Sequence, residues 1–108
     1  MLIAVAGPYS AETKEQMEKN LDAMNNAAAE LYKKGHIPVI GMNNALPVVN
    51  RLNNIERYNS IMEISLAIVE RCDAILILGE SSGVKQEKNL FLERGKPVYY
   101  STEEIPNP

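Results

Sequence analysis

Short apolar runs alternate with longer amphipathic segments along this chain of 108 residues, and no other feature constrains the fold as strongly. The first run is ended by Gly7-Pro8, as suits a short strand buried on both faces. The predicted strands span Leu2–Ala6, His36–Ile40, Asp73–Leu78 and Val98–Tyr100. Strands that alternate with helices require right-handed crossovers, which give a parallel sheet with helices on both faces. We therefore predict one α/β domain over residues 1–108, flavodoxin- or Rossmann-like, with an open sheet in the strand order 2-1-3-4.

The segments between these runs carry apolar residues at the spacing of one helix face. The clearest runs from about Lys14 to Lys34, where acidic residues cluster at the start, lysines close the end and Gly35 follows. This arrangement of charges and glycine is typical of helix ends. The other predicted helices span Ile55–Arg71 and Val84–Arg94.

The remaining segments predict irregular structure. Residues Gly41–Asn54 mix glycine, proline and asparagine, which is typical of a long surface loop that can cover a site, although Ala45–Val49 could form a short helical turn. Pro38 cannot donate to a strand ladder, so we expect the second strand at the sheet margin. The tail Ser101–Pro108 is polar and predicts at most a single turn.

Composition narrows the classes of partner. The formal net charge is -3 with interspersed signs, so the chain lacks the basic stripe that nucleic-acid binding requires, and small molecules are the expected partners. Cys72 is the only cysteine, and the sequence predicts neither a signal peptide nor a membrane-spanning run. We expect a soluble protein of a reducing, cytoplasmic compartment, bound to neither nucleic acid nor membrane.

Two loops follow predicted strands that should be neighbours in the sheet. Gly7, Pro8, Tyr9 and Ser10 follow the first strand, and Gly79–Glu87 follows the third. Their helices should leave on opposite faces, so the crevice between the carboxyl ends of these strands is the expected ligand site.

The segment Ser81-Ser82-Gly83 precedes a predicted helix, so its hydroxyls and backbone N–H groups could hold a phosphate. The same residues equally suit a turn and a helix cap. Glu87 falls one helical turn later and could project back toward the crevice, or it could be a dipole partner on the surface. Tyr9 could hydrogen-bond a carboxylate or stack on a base, or simply cover the end of the sheet.

Other reactive residue types are expected to be structural. Asp73 and His36 fall at the amino ends of predicted strands, away from the expected crevice. As His36 is the only histidine, we expect neither a catalytic histidine nor a histidine-based metal site. We also expect no metal of another kind and no cofactor. We expect Cys72 to be a buried structural residue and not a nucleophile, because no histidine is predicted nearby to activate it.

The chain resembles the nucleoside 2-deoxyribosyltransferase-like superfamily, in particular a small branch with an N-terminal Gly-Pro motif and a later Ser-x-Gly-(Ala/Val)-x-x-Glu motif. The similarity spans roughly residues 1 to 100. The matching segments occur in order and are Ala6–Ser10, Lys34–His36, Arg71–Ala74 and Ser81–Glu87.

The resemblance implies an N-glycosidase or deoxyribosyltransferase that acts on a nucleoside or its 5′-monophosphate. It implies that Glu87 is the nucleophile, that Tyr9 orients it, and that Ser81 with the Gly83 turn binds sugar or phosphate. It also implies a homodimer or larger homo-oligomer. An apolar stripe of Tyr58, Ile61 and Met62 could serve such a contact or pack in the core.

The chain departs from the superfamily pattern at two positions. Ser65 stands where members usually carry an aspartate that helps to bind or protonate the nucleoside, and Glu63 would face another side of the helix. Asn89 replaces a glycine two residues after the nucleophile. An inactive nucleotide-binding module and an oligomeric scaffold therefore remain alternatives.

Overall fold

The computed structural model describes residues 1–53 and 56–108. Their strands form one parallel sheet in the order β2-β1-β3-β4. The strands are β1 (Leu2–Ala6), β2 (Ile37–Val39), β3 (Ala74–Ile77) and β4 (Val98–Tyr99), and the helices are α1 (Lys14–Lys33), α2 (Gly41–Val49), α3 (Arg57–Val69) and α4 (Ser82–Glu93). The predicted α/β class, strand order and edge position of β2 are confirmed.

Side chains alternate across β1 and so build a core on each face of the sheet. Ile3 and Val5 pack with the buried face of α1, while Ala4 and Ala6 pack with residues of α3 and α4. β3 alternates in the same way and all its residues are buried. The helices therefore cover both faces and leave the carboxyl ends of the central strands as the place where loops meet.

The prediction of a loop over Gly41–Asn54 is wrong for most of that segment. Residues Gly41–Val49 form a helix that contains Pro47 and packs against α3. Proline inside a helix costs about 3 kcal/mol, but burying Leu46 and Val49 returns about 1.5–3 kcal/mol for each side chain. Packing therefore overrides the local preference of the sequence.

Gly41 permits the close approach of α2 to α3. A Cβ atom at this position would lie 2.8 Å from the Cβ atom of Ser65 and 3.0 Å from its Cα atom. Any larger residue would push the two helices apart. The composition that suggested a loop thus includes a residue that the helix pair requires.

The remaining boundaries differ by a few residues. Helix α3 was predicted from Ile55; Asn54 and Ile55 lie outside the described residues, and the described helix begins at Arg57. Helix α4 begins at Ser82, ahead of the predicted Val84. The tail forms the expected single turn, Thr102–Glu104, and then buries Ile105 in the core.

Groups at the amino ends of the strands are structural, as predicted. The Leu2 N–H donates to Asp73 Oδ2 at 2.8 Å, which ties β1 to the start of β3. The ring of His36 is fully buried, and its Nε2 lies 2.8 Å from the Pro106 carbonyl oxygen. In the described part of the chain, no helix combines the length and the apolar character needed to cross a bilayer.

Candidate functional site

A cavity of about 480 Å³ opens beside the carboxyl ends of β1 and β3. The structure brings every candidate residue to it: the residues that follow β1, those that begin α4, and Glu87 one turn later. They are Gly7, Pro8, Tyr9, Ser10, Ser81, Ser82, Gly83 and Glu87. Whether they bind a substrate stays a prediction, but they share one surface of a size typical of ligand sites.

The start of α4 combines a helix cap with groups that face the cavity. The Ser81 hydroxyl accepts a hydrogen bond from the Val84 N–H at 3.2 Å, which is the geometry of an N-cap. The Ser81 side chain therefore caps the helix, which was the structural alternative for this segment. The residue also lines the cavity. The hydroxyl proton is not used by the cap and can still be donated to a ligand.

Tyr58 of α3 reaches across to the start of α4. Gln86 Nε2 donates to the Tyr58 hydroxyl at 2.8 Å, and this hydroxyl lies 3.2 Å from Ser82 Oγ. When the Tyr58 hydroxyl donates this hydrogen bond to Ser82 Oγ, the Ser82 hydroxyl can donate its own hydrogen bond to a ligand. Sequence reasoning treated Tyr58 as part of an oligomer or core stripe, because spacing along a helix does not reveal such a partner.

Among the described residues that line the cavity, Glu87 is the acidic one. Only 9% of the residue is exposed, and its carboxyl makes no hydrogen bond or ion pair within the described chain. Burial raises the pKa of this carboxyl from 4.5 to about 7. The group therefore exchanges its proton near neutral pH and is a strong nucleophile only when ionised.

Tyr9 lines the same cavity from the loop after β1. The Asn20 side chain donates to the Tyr9 carbonyl oxygen at 2.9 Å, which ties this loop to α1. No hydrogen bond joins the Tyr9 hydroxyl to Glu87 in the described residues, so the expected orienting contact stays a prediction. The ring also packs on the core, which agrees with the structural alternative.

Arg57 lines the cavity and was not among the predicted site residues. Its Nη2 donates to Asn50 Oδ1 at 2.6 Å, a contact that links the start of α3 to the end of α2. It is the basic side chain among the described lining residues. Its position at the beginning of an amphipathic segment gave no signal of a cavity nearby.

The helix α3 supplies no second carboxyl to the cavity. Ser65 is buried and its Oγ has no hydrogen-bond partner among the described residues, while Glu63 is exposed. Ile61 and Met62, from the stripe that the sequence offered for either an oligomer contact or core packing, line the cavity. Cys72 is buried, and burial raises the pKa of its thiol to about 11, so it is an inert thiol at neutral pH.

The chain belongs to the family described as "Domain of unknown function (DUF4406)", whose model matches residues 1–100. No curated protein matches the chain. The family description names no reaction, so the resemblance to the nucleoside 2-deoxyribosyltransferase-like superfamily stays a prediction.

Proposed function

We propose that the chain cleaves the N-glycosidic bond of a (deoxy)nucleoside or its 5′-monophosphate through a covalent glycosyl-Glu87 intermediate. One observation carries the proposal: the Glu87 side chain is largely buried and lines a cavity at the carboxyl ends of β1 and β3, and its carboxyl has no hydrogen-bond partner among the described residues. A buried acid without a partner costs stability, and such groups concentrate at functional sites. The resemblance of the two loop motifs supplies the specific reaction.

The reaction proceeds in two displacements. A carboxylate oxygen of Glu87 attacks the anomeric carbon, a carbon–oxygen bond forms, and the base leaves with the electrons of the carbon–nitrogen bond. Water, or the nitrogen of a second base, then attacks the same carbon and releases the carboxylate. Water gives a hydrolase and a second base gives a transferase, and both outcomes retain the configuration at the anomeric carbon.

The leaving base needs a proton, and the described cavity offers no second carboxyl to give it. We propose that this proton comes from water that enters the open cavity. Tyr9 would hydrogen-bond the carboxylate of Glu87 and so favour its ionised form. The hydroxyls of Ser81 and Ser82 would hold the sugar or its phosphate beside the start of α4.

The test is release of free base from a panel of 2′-deoxynucleosides and their 5′-monophosphates, separated by chromatography. We expect release by the wild type and loss of at least about 10³-fold in rate for Glu87→Ala. Glu93→Gln is the matched control, because Glu93 is exposed on the same helix, and it should keep the full rate. Acid quenching followed by peptide mass spectrometry should find a deoxyribosyl adduct on Glu87.

Equal rates of base release by the wild type and by Glu87→Ala would refute the role of Glu87 as the nucleophile. Absence of release from every member of the panel would refute the activity.

A nucleotide-binding module without turnover is the second candidate. The observation that favours it is Ser65, a buried residue outside the cavity lining at the position where the resembling enzymes carry an acid. Calorimetric titration that shows nucleotide affinity, with no base released, would support this candidate over the enzyme.

We also propose a homodimer or larger homo-oligomer in the cytoplasm. The lone buried thiol of Cys72 suits a reducing compartment. Sedimentation of the purified chain tests the oligomeric state, and a monomer at micromolar concentration would contradict it.

A further inference from the structure

A chain of hydrogen bonds joins α4 to α3 and ends at the candidate site. Ser82 and Gln86 lie four residues apart on α4, so their side chains share one face of the helix. The hydroxyl of Tyr58, on α3, contacts both of them: it lies 2.8 Å from Gln86 Nε2 and 3.2 Å from Ser82 Oγ. Because Ser82 lines the cavity, the chain ends where a ligand is expected.

Gly83 permits this contact between the two helices. Its backbone does not have the positive φ of Gly35 and Gly95, so the backbone conformation alone does not require a glycine here. A Cβ atom at Gly83 would lie 3.1 Å from Met62 Sδ and 3.9 Å from the Tyr58 hydroxyl oxygen. A side chain at this position would push α3, and with it the Tyr58 hydroxyl, away from the start of α4.

The donors and acceptors of these groups set the direction of the chain. The nitrogen of a glutamine side chain can only donate, so the Tyr58 oxygen accepts from Gln86. A phenol oxygen that already accepts has its own proton left to donate, and Ser82 Oγ is the partner within reach. The Ser82 oxygen then accepts from Tyr58, and the Ser82 proton is available to the cavity.

Ser81 is oriented in the same sense by a different partner. Its hydroxyl oxygen accepts from the Val84 N–H at 3.2 Å, which leaves its proton as the group that it offers. Both serines at the start of α4 therefore present hydrogen-bond donors to the cavity. The ligand atom that suits them is an oxygen that accepts.

We propose that Tyr58 and Gln86 are positioning residues that fix the Ser82 hydroxyl as a hydrogen-bond donor to the ligand. The inference rests on the proposed function for the identity of the ligand, a nucleoside or its 5′-monophosphate. It adds that Tyr58 acts on the ligand through Ser82, and that Gln86 acts through Tyr58.

The first test is a double-mutant cycle between Tyr58 and Ser82. All variants carry Glu87→Gln, which should bind without turnover. Calorimetry gives Kd for the tightest-binding of the 2′-deoxynucleoside 5′-monophosphates of adenine, guanine, cytosine and thymine. Tyr58→Phe removes only the hydroxyl of a side chain that is 47% exposed, and Kd should rise about 3- to 10-fold, as for the loss of one hydrogen bond. When Ser82→Ala is also present, Tyr58→Phe should change Kd by less than about twofold.

Tyr32→Phe is the matched control, because Tyr32 is exposed and lies outside the cavity lining, and it should leave Kd unchanged. An equal rise in Kd for Tyr58→Phe with and without the Ser82 hydroxyl would overturn the inference, since Tyr58 would then act on the ligand directly or through the fold. Unchanged Kd in Tyr58→Phe would overturn it as well.

The second test reverses the direction of the chain. Gln86→Glu keeps the shape of the side chain, but an ionised carboxylate can only accept. Tyr58 must then donate to the carboxylate and accept from Ser82, which withdraws the Ser82 proton from the ligand. Relative to the parent, Kd should rise about 3- to 10-fold at pH 7. It should return to within about twofold near pH 3.5, where the introduced carboxyl is protonated and donates again.

Lys85→Gln controls for charge, because it changes the net charge by the same amount at the neighbouring exposed position. Its effect on Kd should be smaller at pH 7 and should persist at pH 3.5. A loss of affinity in Gln86→Glu that also persists at pH 3.5 would overturn the direction of the chain.

The inference and the proposed function fail in different ways. Coupling between Tyr58 and Ser82 without base release by the wild type would refute the proposed chemistry alone. Base release by an enzyme in which the two residues are uncoupled would refute the inference alone, and failure of all four nucleotides to bind would overturn both.

Discussion

Replacing Glu87 by glutamine should change how the stability of the protein depends on pH. The carboxyl has a pKa of about 7 in the folded chain and an ordinary value of 4.5. Between pH 4.5 and 7 the folded state therefore holds a proton that the unfolded state has released. Linkage then makes the free energy of unfolding fall as pH rises through this window, and the loss is complete just above it.

The size of the effect follows from the two pKa values. They differ by about 2.5, and each unit corresponds to about 1.4 kcal/mol, so the wild type should lose about 3 kcal/mol between pH 4 and pH 8. Glutamine has nearly the same shape and cannot ionise. The variant should match the wild type within about 1 kcal/mol at pH 4 and exceed it by about 3 kcal/mol at pH 8.

Urea unfolding followed by circular dichroism at half-unit pH steps measures this difference directly. Other groups also titrate over this range, so the informative quantity is the variant minus the wild type at each pH. Glu93→Gln, at an exposed position of the same helix, should show a difference within about 0.5 kcal/mol at every pH. A difference for Glu87→Gln that stays flat from pH 4 to pH 8 would refute the buried, unpaired state of this carboxyl.

Two further predictions concern rate and packing. The value of kcat/KM for base release should rise about tenfold per pH unit below 7 and level off above it, because only the ionised Glu87 attacks; a rate that falls over this range would instead assign it the role of acid. Gly41→Ala should lower the free energy of unfolding by about 1–3 kcal/mol in urea titrations, because its Cβ atom would lie 2.8 Å from that of Ser65. Asn44→Ala, exposed on the same helix, should be neutral, and an equal loss in both variants would contradict the steric explanation.

The central strands of the sheet, β1 and β3, could be predicted from the sequence because they are buried on both faces. Leu2–Ala6 and Ala74–Ile77 are nearly continuous apolar runs, and their short length with flanking turn residues excludes a helix. The order followed from the handedness of crossovers. Helix α2 could not be predicted in this way, since glycine and proline oppose it locally and its stability comes from packing on α3, which follows later in the chain.

The sequence could predict that the two candidate loops lie together, because parallel strands end at the same edge of a sheet. It could not predict the other walls of the cavity. Amphipathic spacing placed Met24 and Met62 on the inward faces of their helices. It cannot show where two neighbouring elements fail to pack against each other and leave a cavity. Arg57 and the contact between Tyr58 and Ser82 depend on that same packing.

The environment of Glu87 connects stability with the proposed chemistry. An apolar residue at this position would avoid a loss of about 3 kcal/mol at alkaline pH, which is a large share of the roughly 5–15 kcal/mol that stabilises a domain. A neutral nucleoside recovers little of that energy, because it offers the carboxylate no positive charge. The oxocarbenium-like centre that forms as the base departs does offer one. The attraction therefore grows along the reaction coordinate, and an interaction that is stronger in the transition state than in the bound substrate is the kind that raises kcat.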